Sequence, residues 1–170
     1  GTLPLMSHDD SSDMPAWARY LLLGVFFLLV LPIAIYGMYR QIFVAQEIAP
    51  RIQKDLLDPY QAALAQGDFE KARSTYTTTE YQQRVSVEEY RQGIEKFRNE
   101  FGEISLLSLH ECTETKEPGR PWFQRCVVHY HTSKGVVAVS FEVVEQKGQY
   151  LIDRTFRYGP AGQSRVEAVL

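Results

Sequence analysis

The fold is decided by residues 121–158, PWFQRCVVHYHTSKGVVAVSFEVVEQKGQYLIDRTFRY, and by the shorter run that precedes them. Apolar and polar side chains alternate in this stretch, which is the pattern of half-buried β-strands. The turn sequences TSKG and KG interrupt the alternation, EPGR (117–120) precedes it, and each of the three predicts a hairpin. The sequence therefore predicts an antiparallel meander of four strands: ISLLSLHECT (104–113), PWFQRCVVHYH (121–131), VVAVSFEVVEQ (136–146) and QYLIDRTFRY (149–158).

The turn positions also predict a strand register. Centring the first hairpin on Gly119 places Cys112 opposite Cys126, and the second hairpin places Cys126 opposite Phe141. The KG turn then places Phe141 opposite Arg154 on the same, mostly apolar face. A slip of one residue would invert the faces and bury the charged set, so burial favours this register. The polar face receives Arg125, His129, His131, Ser140, Glu142, Asp153 and Arg157.

Helix signals fill the chain before the strands. The dipeptide at 58–59, Asp-Pro, predicts a helix start, with the aspartate as the N-cap. Asp68 is expected to cap the next helix. Ser86 and Glu89 have the spacing of a capping box, and the helix that they open is predicted to end at Gly102.

An apolar segment near the N-terminus predicts a membrane-spanning helix over residues 17–40. No formally charged side chain lies between Tyr20 and Tyr39, and at 1.5 Å per residue this run is roughly 30 Å long, the thickness of a bilayer core. A cleaved signal peptide is the alternative, but the run is longer than a signal core and an acidic stretch precedes it. We expect an anchor rather than a signal peptide.

The same segment offers features for contact with the helix of a partner. Gly24 and Gly37 would allow close helix packing, and Pro32 is expected to kink the helix. Two features of the sequence predict different sides of the membrane for the domain that follows this segment. The basic residues after the segment favour a cytoplasmic domain by the positive-inside rule, whereas a paired Cys112 and Cys126 would favour an extracytoplasmic, periplasmic domain. We expect the second.

Composition excludes some classes of protein. A chain of 170 residues with a net charge of −3 fits one domain, and its charge balance does not fit a general nucleic-acid binder. The predicted organisation is an N-terminal tail (1–16), a transmembrane helix (17–40), a helical juxtamembrane connector (41–57), a folded domain (58–159) and a C-terminal tail (160–170).

Helices followed by a curved antiparallel sheet, with the sequences DPYQAALAQGDFEKA (58–72) and QKGQYLIDRTFRYG (146–159), resemble the nuclear-transport-factor-like superfamily, also called cystatin-like or SnoaL-like. The resemblance covers roughly residues 55–159. It implies an α+β fold in which a transmembrane helix is followed by a cone of N-terminal helices packed on a curved four-stranded sheet. Behind a single anchor, this resembles bitopic members such as the type IV secretion assembly factor of the bacterial inner membrane.

Three sets of residues are candidate sites. Cys112 and Cys126 would be close enough for a disulfide, the alternative being two reduced, buried cysteines. Arg154 is predicted on the apolar face, where it would bind an anionic group, pair with a helix carboxylate such as Glu89 or Glu95, or extend its charged end to water at the margin of the sheet. The pocket predicted around Arg154 comprises Arg154, His110, Tyr130 and Tyr150.

Metal binding and catalysis have weaker signals. His129 and His131 have a spacing that could place two imidazoles on a metal ion. The register turns His110, the third candidate ligand, to the other face, so no metal site is expected. The sequence contains no standard catalytic motif, and no cofactor is predicted.

These observations predict a non-enzymatic, single-pass accessory or assembly subunit that binds protein subunits of a larger membrane complex. A homodimer formed through the sheet is an alternative arrangement. A small-ligand domain with Arg154 as its anion anchor is the second hypothesis, and an isomerase or dehydratase is the third.

Overall fold

The computed structural model describes residues 14–157 and 166–167 of the chain. The fold is α+β, with the helices preceding an antiparallel sheet. The chain divides into two compact units, with the boundary between Tyr39 and Arg40, and the second unit contains the sheet. The predicted tails lie largely outside the described residues. The helices are α1 (Ala16–Phe43), α2 (Ala49–Ile52), α3 (Asp58–Ala65), α4 (Phe69–Tyr76), α5 (Thr79–Arg84) and α6 (Val87–Phe101), with π-helical turns at Val44–Ile48 and Gln53–Leu57.

Helix α1 is long and apolar enough to cross a membrane, and it is the one such helix in the described part of the chain. It contains Pro32, and within the described residues none of its side chains is buried. Its apolar side chains are therefore available to lipid or to another helix.

The helical path continues past α1 as far as Ala65, which corrects one prediction. Asp58 has helical dihedral angles and does not cap a new helix. The physical reason lies in the two π-helical turns, each of which directly precedes a helix with proline at its start, at Pro50 and Pro59. Proline cannot donate to the carbonyl four residues earlier and its ring crowds that carbonyl. A widened turn relieves the clash without ending the helix.

The other helix signals are confirmed. The side chain of Asp68 accepts a hydrogen bond from the Lys71 amide, and Ser86 and Glu89 form the capping box. Gly102 ends α6 with a φ of 93°, a left-handed value that favours glycine. Helix α5, which Thr78 caps, was not predicted.

The sheet has the predicted meander topology. Its strands are β1 (Ile104–Thr115), β2 (Phe123–Thr132), β3 (Gly135–Gln146) and β4 (Gln149–Arg157), and their spatial order follows the chain. A two-residue strand, β5 (Val166–Glu167), pairs with β4. This short strand falls in the predicted C-terminal tail.

The register of β2 against its two neighbours agrees with the turn positions. Cys126 lies opposite Cys112 and Phe141. Three irregularities were not predicted: at Ser105 and His110 in β1, and at Asp153 in β4. At each irregularity one residue has no partner on the neighbouring strand. The side chains beyond it therefore lie on the face of the sheet opposite to the one that strict alternation predicts.

The hydrophobic core lies between the helices and one face of the sheet, which we call the inner face. Helices α3 and α6 contribute their buried apolar stripes, and the inner face contributes the alternate residues of β2 and β3. Its largest fully buried side chains are Tyr60, Tyr90, Tyr130, Phe97, Phe141, Ile52, Leu56, Leu57, Leu64, Ile94 and Leu107. The opposite face of the sheet is called the outer face below.

The helical path from Arg40 to Gln61 runs along the edge of β1. Arg40 donates two hydrogen bonds to the Glu114 carboxylate, at 3.1 and 2.5 Å. The Gln53 side chain bonds the backbone of Leu107 and Leu109, and the Gln61 side chain bonds the backbone of Ser105 and Leu107. This row of contacts occupies polar groups that an edge strand would otherwise leave open.

Candidate functional site

The interior between helices and sheet holds a cluster of tyrosines. The Tyr60 and Tyr90 hydroxyls are 2.6 Å apart and share a hydrogen bond. The ring of Tyr130 lies 5.1 Å from that of Phe97 and 6.0 Å from that of Phe141, edge to face in both pairs. Aromatic side chains of the chain itself therefore pack this interior.

Burial keeps these hydroxyls protonated. It raises the pKa of Tyr60 above the ordinary value, although hydrogen bonds with Tyr90 and Tyr130 act in the opposite direction. Burial, reinforced by the Tyr60 hydroxyl, raises the pKa of both Tyr90 and Tyr130 well above that value. Such phenols are poor general bases near neutral pH.

The four predicted pocket residues do not come together. Tyr130 lies in the core, whereas Tyr150 lies at its edge, with the Arg51 guanidinium 5.3 Å from its ring centre. Arg154 and His110 belong to the outer face. The anion-binding pocket predicted around Arg154 is therefore not assembled in the described structure.

The position of Arg154 was predicted wrongly because of the bulge in β4. Arg154 lies opposite Glu142, and Thr155 takes the place opposite Phe141. The extra residue, Asp153, reverses the alternation in the last part of the strand. The predicted partners are engaged elsewhere, since Glu89 belongs to the capping box and Glu95 pairs with Arg91.

The position of His110 was wrong for the same reason. His110 is the extra residue of the bulge in β1, and its ring stacks on that of His129 with the centroids 4.6 Å apart. His131 is hydrogen-bonded to the Ser108 hydroxyl at 2.9 Å. Although three histidines share the outer face, no group of three potential ligands in the described part of the chain has a metal-binding arrangement.

The outer face carries a network of ion pairs, which we call the charged cluster: Glu117, Arg120, Arg125, Glu142 and Asp153. Glu142 is at its centre, with a side chain only 2% exposed. Its carboxylate accepts hydrogen bonds from Arg120 at 2.7 Å and from Arg125 at 3.3 Å. Arg120 also bonds Glu117 at 2.7 Å and Asp153 at 3.1 Å. A buried carboxylate needs such partners, because losing water is otherwise costly.

The charged cluster fixes the β1–β2 hairpin against the rest of the domain. Burial by itself would lower the pKa of Arg120, but the hydrogen bonds to Glu142 and Glu117 raise it above the ordinary value. Hydrogen bonding from Arg120 is the main cause of the lowered pKa of Glu117. Arg120 also covers the Phe123 ring, with its guanidinium carbon 4.3 Å from the ring centre.

The charged cluster also reaches the helices through Asp153. The Asp153 side chain accepts a hydrogen bond from the Thr78 hydroxyl at 2.8 Å, and its backbone carbonyl accepts one from Arg84 at 2.6 Å. The sequence placed Arg125, Glu142 and Asp153 together on one face. It gave no role to Glu117 and Arg120, although their three-residue spacing in a turn was a usable signal for an ion pair.

A disulfide joins Cys112 to Cys126, whose Cα atoms are 4.1 Å apart. It crosses from β1 to β2 on the inner face of the sheet, next to the core. The bond links β1, the strand bound by the helical path from Arg40 to Gln61, to the central part of the sheet.

The features predicted for a membrane partner lie on α1. Gly24 and Gly37 have open space around them, so another helix could approach closely at either position. Because they are thirteen residues apart, the two glycines lie about 140° from each other around the helix axis. The two glycines therefore belong to different sides of α1.

Comparison of the chain with protein-family models, with curated proteins and with solved structures finds no match to any of them.

Proposed function

We propose that this protein is a non-enzymatic, single-pass accessory or assembly subunit that binds other subunits of a membrane complex. The observation that carries the proposal is α1 itself, a helix long and apolar enough to cross a membrane in which no residue is buried in the part of the chain that the structure describes. The packed tyrosine interior supports binding through surfaces in preference to catalysis within the domain. We also propose that the domain is related to nuclear-transport-factor-like domains, as in bitopic secretion factors of the bacterial inner membrane.

Purification of the full chain from its native membrane in mild detergent tests this function. We expect membrane proteins in stoichiometric amounts with the chain. The variants Gly24→Leu and Gly37→Leu provide matched controls because they alter different sides of α1. A partner helix packed on one side should be lost with one variant and retained with the other.

Recovery of the chain as a monomer from all these preparations would contradict the proposal. Recovery as a homodimer would favour the alternative in which two copies associate through the sheet. Loss of partners with both variants would indicate a general defect of α1, so membrane insertion of each variant is checked by its resistance to extraction with alkaline carbonate.

We further propose that the domain lies on the extracytoplasmic, periplasmic side. The disulfide supports this side, because such bonds persist mainly in oxidising compartments. Cys112 and Cys126 are the two cysteines of the chain, so thiol labelling reports on this domain alone. In spheroplasts, a membrane-impermeant reductant followed by a membrane-impermeant maleimide should label the protein. Labelling only after lysis would place the domain in the cytoplasm, as the basic residues after α1 suggest.

A further inference from the structure

The β1–β2 hairpin exposes a large aromatic side chain. Trp122 is 59% exposed, more than any other large apolar side chain among residues 40–157. It follows Pro121 and directly precedes Phe123, which is buried beneath Arg120. The surrounding hairpin is thus held by the charged cluster while the indole remains uncovered.

The row of contacts along β1 shows which end of the sheet is near Arg40. Arg40 binds Glu114 near the end of β1, whereas Gln61 binds Ser105 near its start. From Glu114 to Ser105 the strand rise is about 31 Å, so Arg40 and Gln61 bind near opposite ends of β1. The two elements therefore run side by side in opposite directions, and the β1–β2 hairpin lies at the Arg40 end.

Arg40 marks the membrane boundary in the sequence. It is the first charged residue after the uncharged run from Tyr20 to Tyr39. Tyr36 and Tyr39 immediately precede it, and tyrosines favour the headgroup layer. A helix that spans a bilayer over this run places Arg40 at the level of the headgroups.

Within the domain, Trp122 lies at the end of the sheet that is near Arg40. Gln124 is directly opposite Glu114, the partner of Arg40. Trp122 precedes Gln124 by two residues, which span at most about 7 Å. Within the hairpin, Glu117 and Arg120 pair with each other, and the exposed Lys116 adds a positive charge that anionic lipids attract.

We propose that the β1–β2 hairpin, residues 115–122, rests on the bilayer surface with the Trp122 indole in the headgroup layer. The ligand is the lipid interface, because an amphipathic indole beside a cation, at headgroup depth, fits that layer better than bulk water. This inference rests on the membrane-spanning role of α1 in the proposed function. The charged cluster ties the hairpin to β3 and β4.

Tryptophan fluorescence in vesicles tests the contact. The chain has two tryptophans, so the variant Trp17→Phe leaves Trp122 as the only one. The full-length variant is reconstituted into phosphatidylcholine–phosphatidylglycerol vesicles, with or without phosphatidylcholine brominated near the headgroup end of its acyl chains. We expect the brominated lipid to reduce the emission, because an indole at the headgroup level lies within reach of the bromine atoms. Acrylamide in the water should quench it weakly.

Two further variants serve as controls. Trp122→Phe retains Trp17, near the start of α1, which the brominated lipid should quench if the helix spans the bilayer. The triple variant Trp17→Phe, Trp122→Phe, Val136→Trp places the indole just beyond the β2–β3 turn. Val136 is 57% exposed, close to the value for Trp122, and β2 separates the two sites by about 30 Å. Its emission should not respond to brominated lipid.

The outcomes separate the two proposals. Quenching of Trp17 without quenching of Trp122 would overturn the hairpin contact and leave the anchor intact, with a protein partner as the remaining occupant of Trp122. Absence of quenching at both positions would overturn the anchor and the hairpin contact together. Equal quenching at position 136 would also overturn the inference, because the contact would then not be specific to the hairpin.

Discussion

Glu142 shows at the level of one residue how the outer face is stabilised. Its buried carboxylate lies between the Arg120 and Arg125 guanidinium groups. The variant Glu142→Gln keeps the size of the side chain but removes the charge that both arginines face. We expect the free energy of unfolding to fall by about 3 kcal/mol, as when one partner of a buried ion pair is removed. Urea denaturation in detergent, followed by circular dichroism, measures this change.

The matched control for Glu142 is Glu88→Gln on the surface of α6. Glu88 pairs with Arg91 at 2.8 Å, but both side chains are largely exposed and solvent screens their attraction. We expect no measurable change in unfolding for this variant. Equal stability of the two variants would show that the charged cluster does not contribute to folding.

At the level of elements, the edge of β1 depends on two glutamines of the helical path. Gln61 accepts a hydrogen bond from the Leu107 amide at 2.9 Å and donates one to the Ser105 carbonyl at 2.8 Å. The variant Gln61→Ala leaves the amide of fully buried Leu107 without this acceptor, at a cost of about 1–3 kcal/mol. Hydrogen exchange at the Leu107 amide should become faster by about one to two orders of magnitude, since about 1.4 kcal/mol corresponds to a tenfold change in an equilibrium constant.

Gln92→Ala is the control for this edge. Gln92 bonds Glu88 at 2.8 Å on the exposed side of α6, so its removal should leave exchange at Leu107 unchanged. Unaltered exchange in the Gln61→Ala variant would mean that the edge of β1 is protected by another group. Faster exchange in both variants would instead indicate a general loss of stability.

For the whole molecule, the tyrosine cluster predicts unfolding at alkaline pH. Tyr60, Tyr90 and Tyr130 have raised pKa values in the folded state, whereas the unfolded chain ionises near pH 10. Below about pH 10 both states keep these protons, so stability is unaffected. Above it only the unfolded state releases them, and the free energy of unfolding falls by about 1.4 kcal/mol per pH unit for each tyrosine.

Parallel records of tyrosinate absorbance and circular dichroism against pH check this behaviour. We expect a cooperative rise in absorbance that coincides with loss of the fold. The variant Tyr90→Phe should remove one tyrosinate from that rise. Gradual ionisation of every tyrosine near pH 10 with the fold intact would contradict the burial of the cluster.

Several features of the fold follow from signals that are local in the sequence. The capping box at Ser86 and the stop at Gly102 depend on a few adjacent residues, and both are present. The pairing of Cys112 with Cys126 required only the position of one turn. The candidate site was harder, because Arg154 and His110 were placed by counting residues through strands that contain bulges.

The sequence by itself determined the α+β class, the long apolar helix, the order of the strands and the central register, because periodicity and turn residues act over short distances along the chain. Only the tertiary structure decided the positions of the bulges and the contacts of the turn residues. Arg120 meets Glu142 across 22 residues, and Arg40 meets Glu114 across 74. Such pairs form because the packing of distant elements brings opposite charges together with little water between them, and no local pattern encodes that proximity.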